Sequence, residues 1–598
     1  MKRSTARLLF WSLLSAPPMA CAFSFETPVD GLDASLDSIA EYSAMLRTGK
    51  SERIVRGGQN LFANANDGSE YYARGLVASE FKLTSELHLK YQDNGLFLRG
   101  SAWYDTQLMD HPPSGGAFAL HNTDSDEHFP SDLRNRLGHG SRLLDAYVYG
   151  NREIDGMPVN LRLGRQVINW GEGIYYADGL NVANPIDVGR IALPNASLKE
   201  ALLPTNMVAL QVGLTDSLSV ESFYGLEWRG NELMPTGAFL NDSDVFGKGT
   251  NGTLVDLRQQ LEAMGIPANL VPGVNGEDGV VAVSRYGRER DARDSGQFGV
   301  ALRYLSEALN NTEFSLYYLN YHSKVPFMSL RPGAPGGCSQ GGGGRFASLC
   351  TLAGAVAPEA IPLVDGLDLL DSSHYDLVYP EDIRLFGVTV SGNLADTNLA
   401  AELTYRPNAP LESSMTWEME QLANGALLEG GGSGAAIDLG HFGTASHSAI
   451  NLYQRGELYT SSLSAIHTFG PTMGLDGLLM VAELASNYVP GSLPNTPNYH
   501  YLSPFSWGYT LNLSGTWEDA LPGIDLLPAV TFRADVSGTS PALNENFVEG
   551  RRSSTLELGA RYGDSLGAKL SYTAFWGARK DNPLIDRDNI ALNLSYSF

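Results

Sequence analysis

The sequence predicts an all-β fold: a transmembrane antiparallel β-barrel of about 18 strands with long external loops carrying short helices. Three observations predict it. Segments along the chain alternate apolar and polar residues with period two. Short turns alternate with long links. After residue 22, no run is long and apolar enough for a membrane helix.

The amino terminus comes first. Lys2, Arg3 and Arg7 precede an apolar stretch, Leu8 to Leu14, that is too short to span a bilayer, and Ala20-Cys21-Ala22 fits a small-residue cleavage site. Residues 1–22 are therefore expected to be a cleaved Sec signal peptide, and residues 23–598 a single barrel domain. A lipoprotein signal centred on Cys21 is the alternative. Pro18 stands against it, where such a signal wants Leu.

Composition suits a β protein rich in turns and aromatic belts: 43% hydrophobic, 18% charged, 65 Gly and 27 Tyr. The formal net charge is −26, and it becomes three units more negative once the basic signal residues leave. Nucleic-acid binders need basic stripes, so that class is excluded. The acidity fits loops bathed in divalent cations, and equally a merely solvated surface. Cys338 and Cys350 lie in one Gly-rich segment, GGCSQGGGGRFASLC. In an exported chain such a pair reads as a loop disulfide, because a metal site would need more ligands than the segment offers.

The final strand shows the alternation plainly. Ile590, Leu592, Leu594, Tyr596 and Phe598 share one face, and Ala591, Asn593, Ser595 and Ser597 the other. The terminal Phe completes a pattern resembling the insertion signal of outer-membrane barrels. Leu566 to Trp576, Leu556 to Tyr562, Leu218 to Trp228 and Phe298 to Tyr304 alternate likewise, with each charge on the face that would look into a lumen. A charge on the lipid face would cost about 2–4 kcal/mol at the midplane. Trp507 and Trp517 end a segment whose rise of roughly 23 Å matches the apolar band between two aromatic girdles.

Short links carry hairpin chemistry: Asp93-Asn94-Gly95, Thr215-Asp216-Ser217, Gly563-Asp564-Ser565 and Gly470 to Met473. Long links run over 106–141, 169–206, 229–295, 323–382 and 407–454. This asymmetry places short turns in the periplasm and long loops outside. The count is about 18, or about 16 without the least regular segment near Ile39 to Thr48. Two loops carry helix signals. Thr253 can cap one with Leu254, Leu257, Leu261 and Met264 on a stripe stopped by Gly265, and Ser197 can cap another through Leu203, stopped by Pro204. Such stripes serve local packing, or let a loop fold inward and constrict the lumen.

Longer motifs then become specific. Arg162-Leu-Gly-Arg-Gln-Val-Ile-Asn-Trp-Gly-Glu172 is followed by Gly179 to Val188 (GLNVANPIDV) and Leu198 to Pro204 (LKEALLP). Later come Tyr379 to Gly387 (YPEDIRLFG) and Leu403 to Leu411 (LTYRPNAPL). In order and spacing the chain resembles the DUF1302 family of Gram-negative outer-membrane proteins, over most of its mature length. The resemblance implies a barrel, outer-membrane residence and no settled activity. Its implied partners are outer-membrane lipid and lipopolysaccharide, the barrel-assembly machinery, an inner-membrane exporter of the resistance-nodulation-division type and a periplasmic lipid carrier.

Candidate site residues cluster in these motifs. Arg162 and Gln166 fall on the lumen face of a strand. Strict alternation puts Arg165 on the lipid face, and a bulge at Gly164 would turn it inward. Asn169, Trp170, Glu172, Asn184 and Asp187 follow in a long loop. Glu381, Asp382, Glu402 and Arg406 supply further charges. Together they read as a lumen site for an anionic headgroup, or as a salt-bridge network pinning an infolded loop, since buried charges must be paired. Between Asp382 and Val390, Ile383 and Leu385 face one way and Phe386, Val388 and Val390 the other. That suggests an apolar lumen patch for a hydrophobic ligand, unless Gly387 is bulged. No Gly-x-Ser-x-Gly, His-Glu-x-x-His or cysteine cluster is present, and no enzyme activity, cofactor or metal is expected. Acid-rich stretches at Asp124 to His128 and Asp242 to Asp244 lack the spacing of an EF-hand loop. The expected function is outer-membrane transport of a hydrophobic or amphipathic molecule. The alternatives are a general diffusion porin and a surface binding protein anchored by its barrel.

Overall fold

The structure is a computed structural model. It describes residues 23–598 apart from 27–29, 52–54, 57–58, 61–63, 116–126, 177, 197, 264, 275–276, 332, 334–337, 339–344, 357, 359–360, 413–448, 492–501, 543–545 and 580. The expected signal segment, the caps and stripe ends Ser197 and Met264, and residues 124–126 lie outside the described residues.

Eighteen strands close on themselves. They are β1 (Leu32–Arg47), β2 (Gly75–Tyr91), β3 (Asn94–Asp105), β4 (His139–Ile154), β5 (Met157–Gln166), β6 (Thr205–Gly213), β7 (Leu218–Gly225), β8 (Phe298–Ser306) and β9 (Thr312–Tyr321). The second half comprises β10 (Ile383–Leu394), β11 (Thr397–Glu412), β12 (Tyr453–Thr468), β13 (Gly477–Tyr488), β14 (Phe505–Leu521), β15 (Ile524–Ser537), β16 (Arg552–Tyr562), β17 (Leu566–Trp576) and β18 (Asn589–Ser597). Each pairs antiparallel with the next, and β18 pairs with β1 from Ile39↔Ser597 to Arg47↔Asn589. The segment near Ile39 is thus the first barrel strand. A short strand, Phe23–Glu26, pairs with Asp33 to Leu36 of β1, beyond the carboxyl terminus.

Closure leaves no unpaired edge, and alternation sorts the side chains. Leu161, Leu163, Leu463, Leu556, Leu558 and Leu570 are exposed on the outer face. Outward aromatics form a ladder across β8 to β13. Phe298, Tyr318, Phe386, Tyr405, Tyr459 and Tyr488 have neighbouring ring centroids 4.7–6.4 Å apart. This is the belt that a membrane interface favours. The turns at the opposite end are tight. Asp155 and Gly156 join β4 to β5 with φ of +51° and +79°, as a two-residue hairpin turn requires.

The long loops after β5, β7, β9 and β11 have two fates. Those after β7, β9 and β11 build a small five-stranded sheet from Gly252–Asp256, Val280–Arg290, His374–Val378, Phe327–Arg331 and Ile450–Asn451. Helices Ala347–Val356 and Ile361–Ser372 cover it around Val281, Val283, Leu330, Phe346, Leu367 and Tyr375. Cys338 and Cys350 are disulfide-bonded there, with Cα atoms 5.1 Å apart. The helix expected from Thr253 is corrected. Gly252–Asp256 is a strand paired with Val280 to Ser284, and the helix is Arg258–Ala263, with Asp256 Oδ1 accepting from the Arg258 N–H at 3.1 Å. Leu254 and Val255 face opposite ways and are both buried, which only a strand covered on both sides allows. Leu257 and Leu261 remain on the helical stripe. The other loop, after β5, enters the barrel.

The two-faced wall predicts an asymmetry between adjacent positions. Leu570→Arg, on the lipid face, should cost about 2–4 kcal/mol, whereas Ser571→Arg, facing the lumen, should cost less than about 1 kcal/mol. Urea titration of the protein folded into vesicles reads both, and equal losses would contradict this orientation.

Candidate functional site

The loop between β5 and β6 is held by backbone as much as by side chains. Its first half runs Trp170-Gly-Glu-Gly-Ile-Tyr-Tyr176 and continues to Asp178-Gly-Leu180. Glu402 of β11 accepts the N–H groups of Glu172 and Leu180, both at 2.7 Å. Glu483 of β13 accepts those of Ile174 at 3.0 Å and Tyr175 at 2.5 Å. Two glycines permit the approach. A Cβ at Gly171, whose φ is +94°, would stand 2.6 Å from the Glu402 carboxylate, and one at Gly179 only 1.9 Å away. Arg406 of β11 completes the clasp. It donates through Nη2 to the carbonyls of Asp178 at 2.8 Å and Gly179 at 2.9 Å, and through Nε to the Tyr321 hydroxyl at 3.1 Å. Asp178 also accepts from Asn487 at 3.1 Å.

The same loop rests on an apolar seat. Ile168, Trp170, Leu180 and Val182 pack against Met207, Phe223, Tyr317, Leu319, Ile383 and Leu385 of the wall. Trp170 also donates from Nε1 to Glu221 of β7 at 2.9 Å. This corrects the reading of Asp382 to Val390 as a lumen patch for a ligand. Phe386, Val388 and Val390 face lipid with no register shift at Gly387, and the inward Ile383 and Leu385 are covered by the loop.

The second half reaches the opposite wall. Asp187 caps the turn Val188–Ile191 by accepting from Arg190 N–H, and pairs with Arg142 of β4 at 2.7 Å. Arg190 pairs with Glu80 of β2, its guanidinium 3.8 Å from the centre of the Trp103 ring. Lys82 of β2 joins Glu200 of the loop at 2.8 Å to Glu41 of β1 at 2.7 Å. The helix Leu198–Ala201 that carries Glu200 therefore lies inside the barrel.

The sequence candidates fall into three places. Trp170, Glu172, Asn184, Asp187, Glu402 and Arg406 belong to the loop and its clasp. Asn184 exchanges hydrogen bonds with the Ile168 backbone at 2.9 and 2.5 Å, and Asn169 is exposed beside it. Gln166 is buried and donates to the Met207 carbonyl at 3.2 Å. Arg162 faces the lumen beside Tyr147 and forms no salt bridge with any described residue. Two groupings are corrected. Arg165 stays on the outward face, opposite Ala146 and Asn206 in an unbroken register, and donates to the Pro204 carbonyl at 3.3 Å. Glu381 and Asp382 sit at the external rim and pair with Arg293, so neither meets Arg162. Glu41, Glu80, Lys82, Arg142, Glu221 and Glu483 were missed. Each is an inward charge in an alternating strand, and that was the available signal.

A closed barrel with an apolar outer band and a lumen crossed by a wall-pinned loop defines a transmembrane β-barrel of the outer-membrane kind. The chain belongs to the family described as protein of unknown function, DUF1302, whose model matches residues 3–598. No curated protein matches the sequence. Solved structures similar to it include Acinetobacter baumannii OccAB2, at 10% identity and a TM-score of 0.38 over 94% of this chain and 98% of that one. Pseudomonas aeruginosa OccK9 (OpdG) is 12% identical at 0.39, with the same coverage. A BenF-like porin from Pseudomonas fluorescens Pf-5 is 10% identical at 0.38, again over 94% and 98%. Likeness at this level carries no argument about this chain.

Two predictions follow from the clasp and the rim. Glu402→Ala leaves the N–H groups of Glu172 and Leu180 without their acceptor, at about 1–3 kcal/mol each. New protease cuts between residues 169 and 182, with a raised ion conductance, are the expected outcome, and an unchanged digest would refute the clasp. At the rim, buried Lys324 donates to Gln297 at 2.6 Å under the Trp228 ring. Burial lowers its pKa to about 7, against a smaller opposing pull from Glu227. The unfolded chain holds that proton up to the ordinary lysine range, so the fold gains stability as pH rises from about 7 towards 10.5 and lacks the gain below 7. Melting of wild type against Lys324→Met over this range should differ by up to about 5 kcal/mol.

Proposed function

We propose that the protein is an outer-membrane transport protein that passes or receives a hydrophobic or amphipathic molecule. The observation that carries the reading is the loop fixed to one wall by backbone-to-carboxylate bonds and to the opposite wall by salt bridges. A loop held this way narrows the lumen permanently. Tyr176 stacks on buried Phe547 at 5.2 Å, with Arg533 4.8 Å from its ring centre, so the loop is anchored by packing as well as by hydrogen bonds. A lumen narrowed in this way restricts the free flow of small hydrated ions. An exporter of the inner membrane and a periplasmic lipid carrier are the proposed partners, on the family resemblance alone.

One observation favours a diffusion porin instead. Thr531, Thr555, Glu557, Lys569, Ser571 and Asn593 face inward along β15 to β18 and keep partial solvent contact. Planar-bilayer recording of the purified protein discriminates the two. The transport reading expects low, intermittent ion current together with uptake of an amphipathic probe into proteoliposomes. A large steady current with no such uptake would replace it with the porin.

A further inference from the structure

Five inward side chains on β2 to β5 form a group near the periplasmic turns, away from the loop's apolar seat. They are His88, Phe97, Tyr147, Tyr149 and Arg162. Their strand neighbours Val148, Leu161 and Leu163 are exposed on the outer face, and the unbroken register of β4 with β5 fixes the alternation between them. His88 Nε2 and the Tyr149 hydroxyl are 2.7 Å apart, with the rings stacked at 5.8 Å. Phe97 lies 6.3 Å from His88 and 5.5 Å from Tyr147. Tyr149 is paired with Arg162 across β4 and β5, and the Arg162 side chain lies against the Tyr147 phenol.

Three features set this group apart from ordinary wall. First, all five side chains keep partial solvent contact, so they are reachable. Second, Gly95 faces Tyr149, where a Cβ would come within 2.3 Å of the ring. The ring therefore lies along the wall instead of projecting across the lumen. Third, Arg162 forms no salt bridge with any described residue. Its neighbour Arg99, by contrast, is engaged by Asp145 and lies 3.6 Å from Glu86. A guanidinium left without a carboxylate beside a run of ring faces can take a carboxylate in its fork while an apolar body stacks. Glu86 and Asp37, opposite each other on β1 and β2, lie beyond His88 and disfavour a second negative charge.

We infer that His88, Phe97, Tyr147, Tyr149 and Arg162 form a binding site for an amphipathic monoanion, a ring-bearing or planar apolar body with one carboxylate-like head. The site deepens the transport reading and rests on it only in assigning this class to the cargo. Binding itself is measurable without transport.

The experiment is calorimetric titration of the full-length protein in non-ionic detergent with sodium 2-naphthoate, 2-naphthol and sodium acetate. Naphthoate should bind at least about tenfold more tightly than acetate, as stacked rings allow. Arg162→Gln should weaken naphthoate about tenfold while leaving 2-naphthol within about twofold, because only the charged head meets the guanidinium. Phe97→Ser touches no ion pair and serves as the second variant; it should weaken both naphthyl probes several-fold. Absence of naphthoate binding to the wild type, equal binding to Arg162→Gln, or an unaffected Phe97→Ser overturns the site. Proteoliposome uptake of naphthoate is read separately. Binding without uptake keeps the site and removes the transport reading. Loss of binding in both variants with unchanged uptake keeps the site and removes its assignment to the cargo.

Discussion

Every backbone N–H and C=O at membrane depth must find its partner within the protein, and the rest of this structure depends on that requirement. Eighteen strands meet it by pairing in a ring, so that β18 returns to β1. Closure forces each strand to present one face to lipid and one to the lumen. The apolar outer band and the inward charges are two consequences of one geometry. The infolded loop brings unpaired N–H groups into the same space without strand partners. Glu402 and Glu483 supply acceptors from the wall, so the clasp extends the rule that closed the barrel.

That dependence explains why a loop so rich in glycine is firmly placed. Glycine ordinarily loosens a chain. Here Gly171 and Gly179 let the backbone come within hydrogen-bonding distance of a carboxylate that a side chain would push away. The charge on Glu402 is met by directed N–H dipoles and by the nearby Arg406, while Arg406 is met by carbonyls and a phenol. Buried charge of this kind is tolerable only when it is paired and hydrogen-bonded. The apolar seat beneath Trp170 and Leu180 adds the burial that orders the segment against its entropy.

Much of the fold was legible because a barrel writes itself locally. Period-two alternation, turn residues and unequal link lengths are all visible within ten or twenty residues, and they located the strands and the orientation. The clasp was only half legible. Glu402 and Arg406 could be singled out as charges needing partners, but Glu172 and Leu180 lie more than two hundred residues away, and the bonds run through backbone that carries no side-chain signal. Arg165 shows a different limit. Gly164 adopts a φ of +129°, which fits the sequence's hint of irregularity, yet the pairing runs through it unbroken and the arginine stays outside. At Thr253 the stripe holds only at 257 and 261; Leu254 packs in a different cluster, and burial on both sides makes its segment a strand.

Selectivity in such a lumen must come from what the loop leaves uncovered. The loop covers the apolar inner face of β6 to β10 and is clasped by β11 and β13, and its far end ties up the external half of β1, β2 and β4. Among the described residues, inward surfaces that keep solvent contact include the hydroxyl and charged strip of β15 to β18 and the rings around Arg162. The infolded loop thus decides which parts of the wall stay open to the lumen: Glu402, Glu483 and Lys82 are turned to the loop, while Arg162 and Lys569 keep solvent contact.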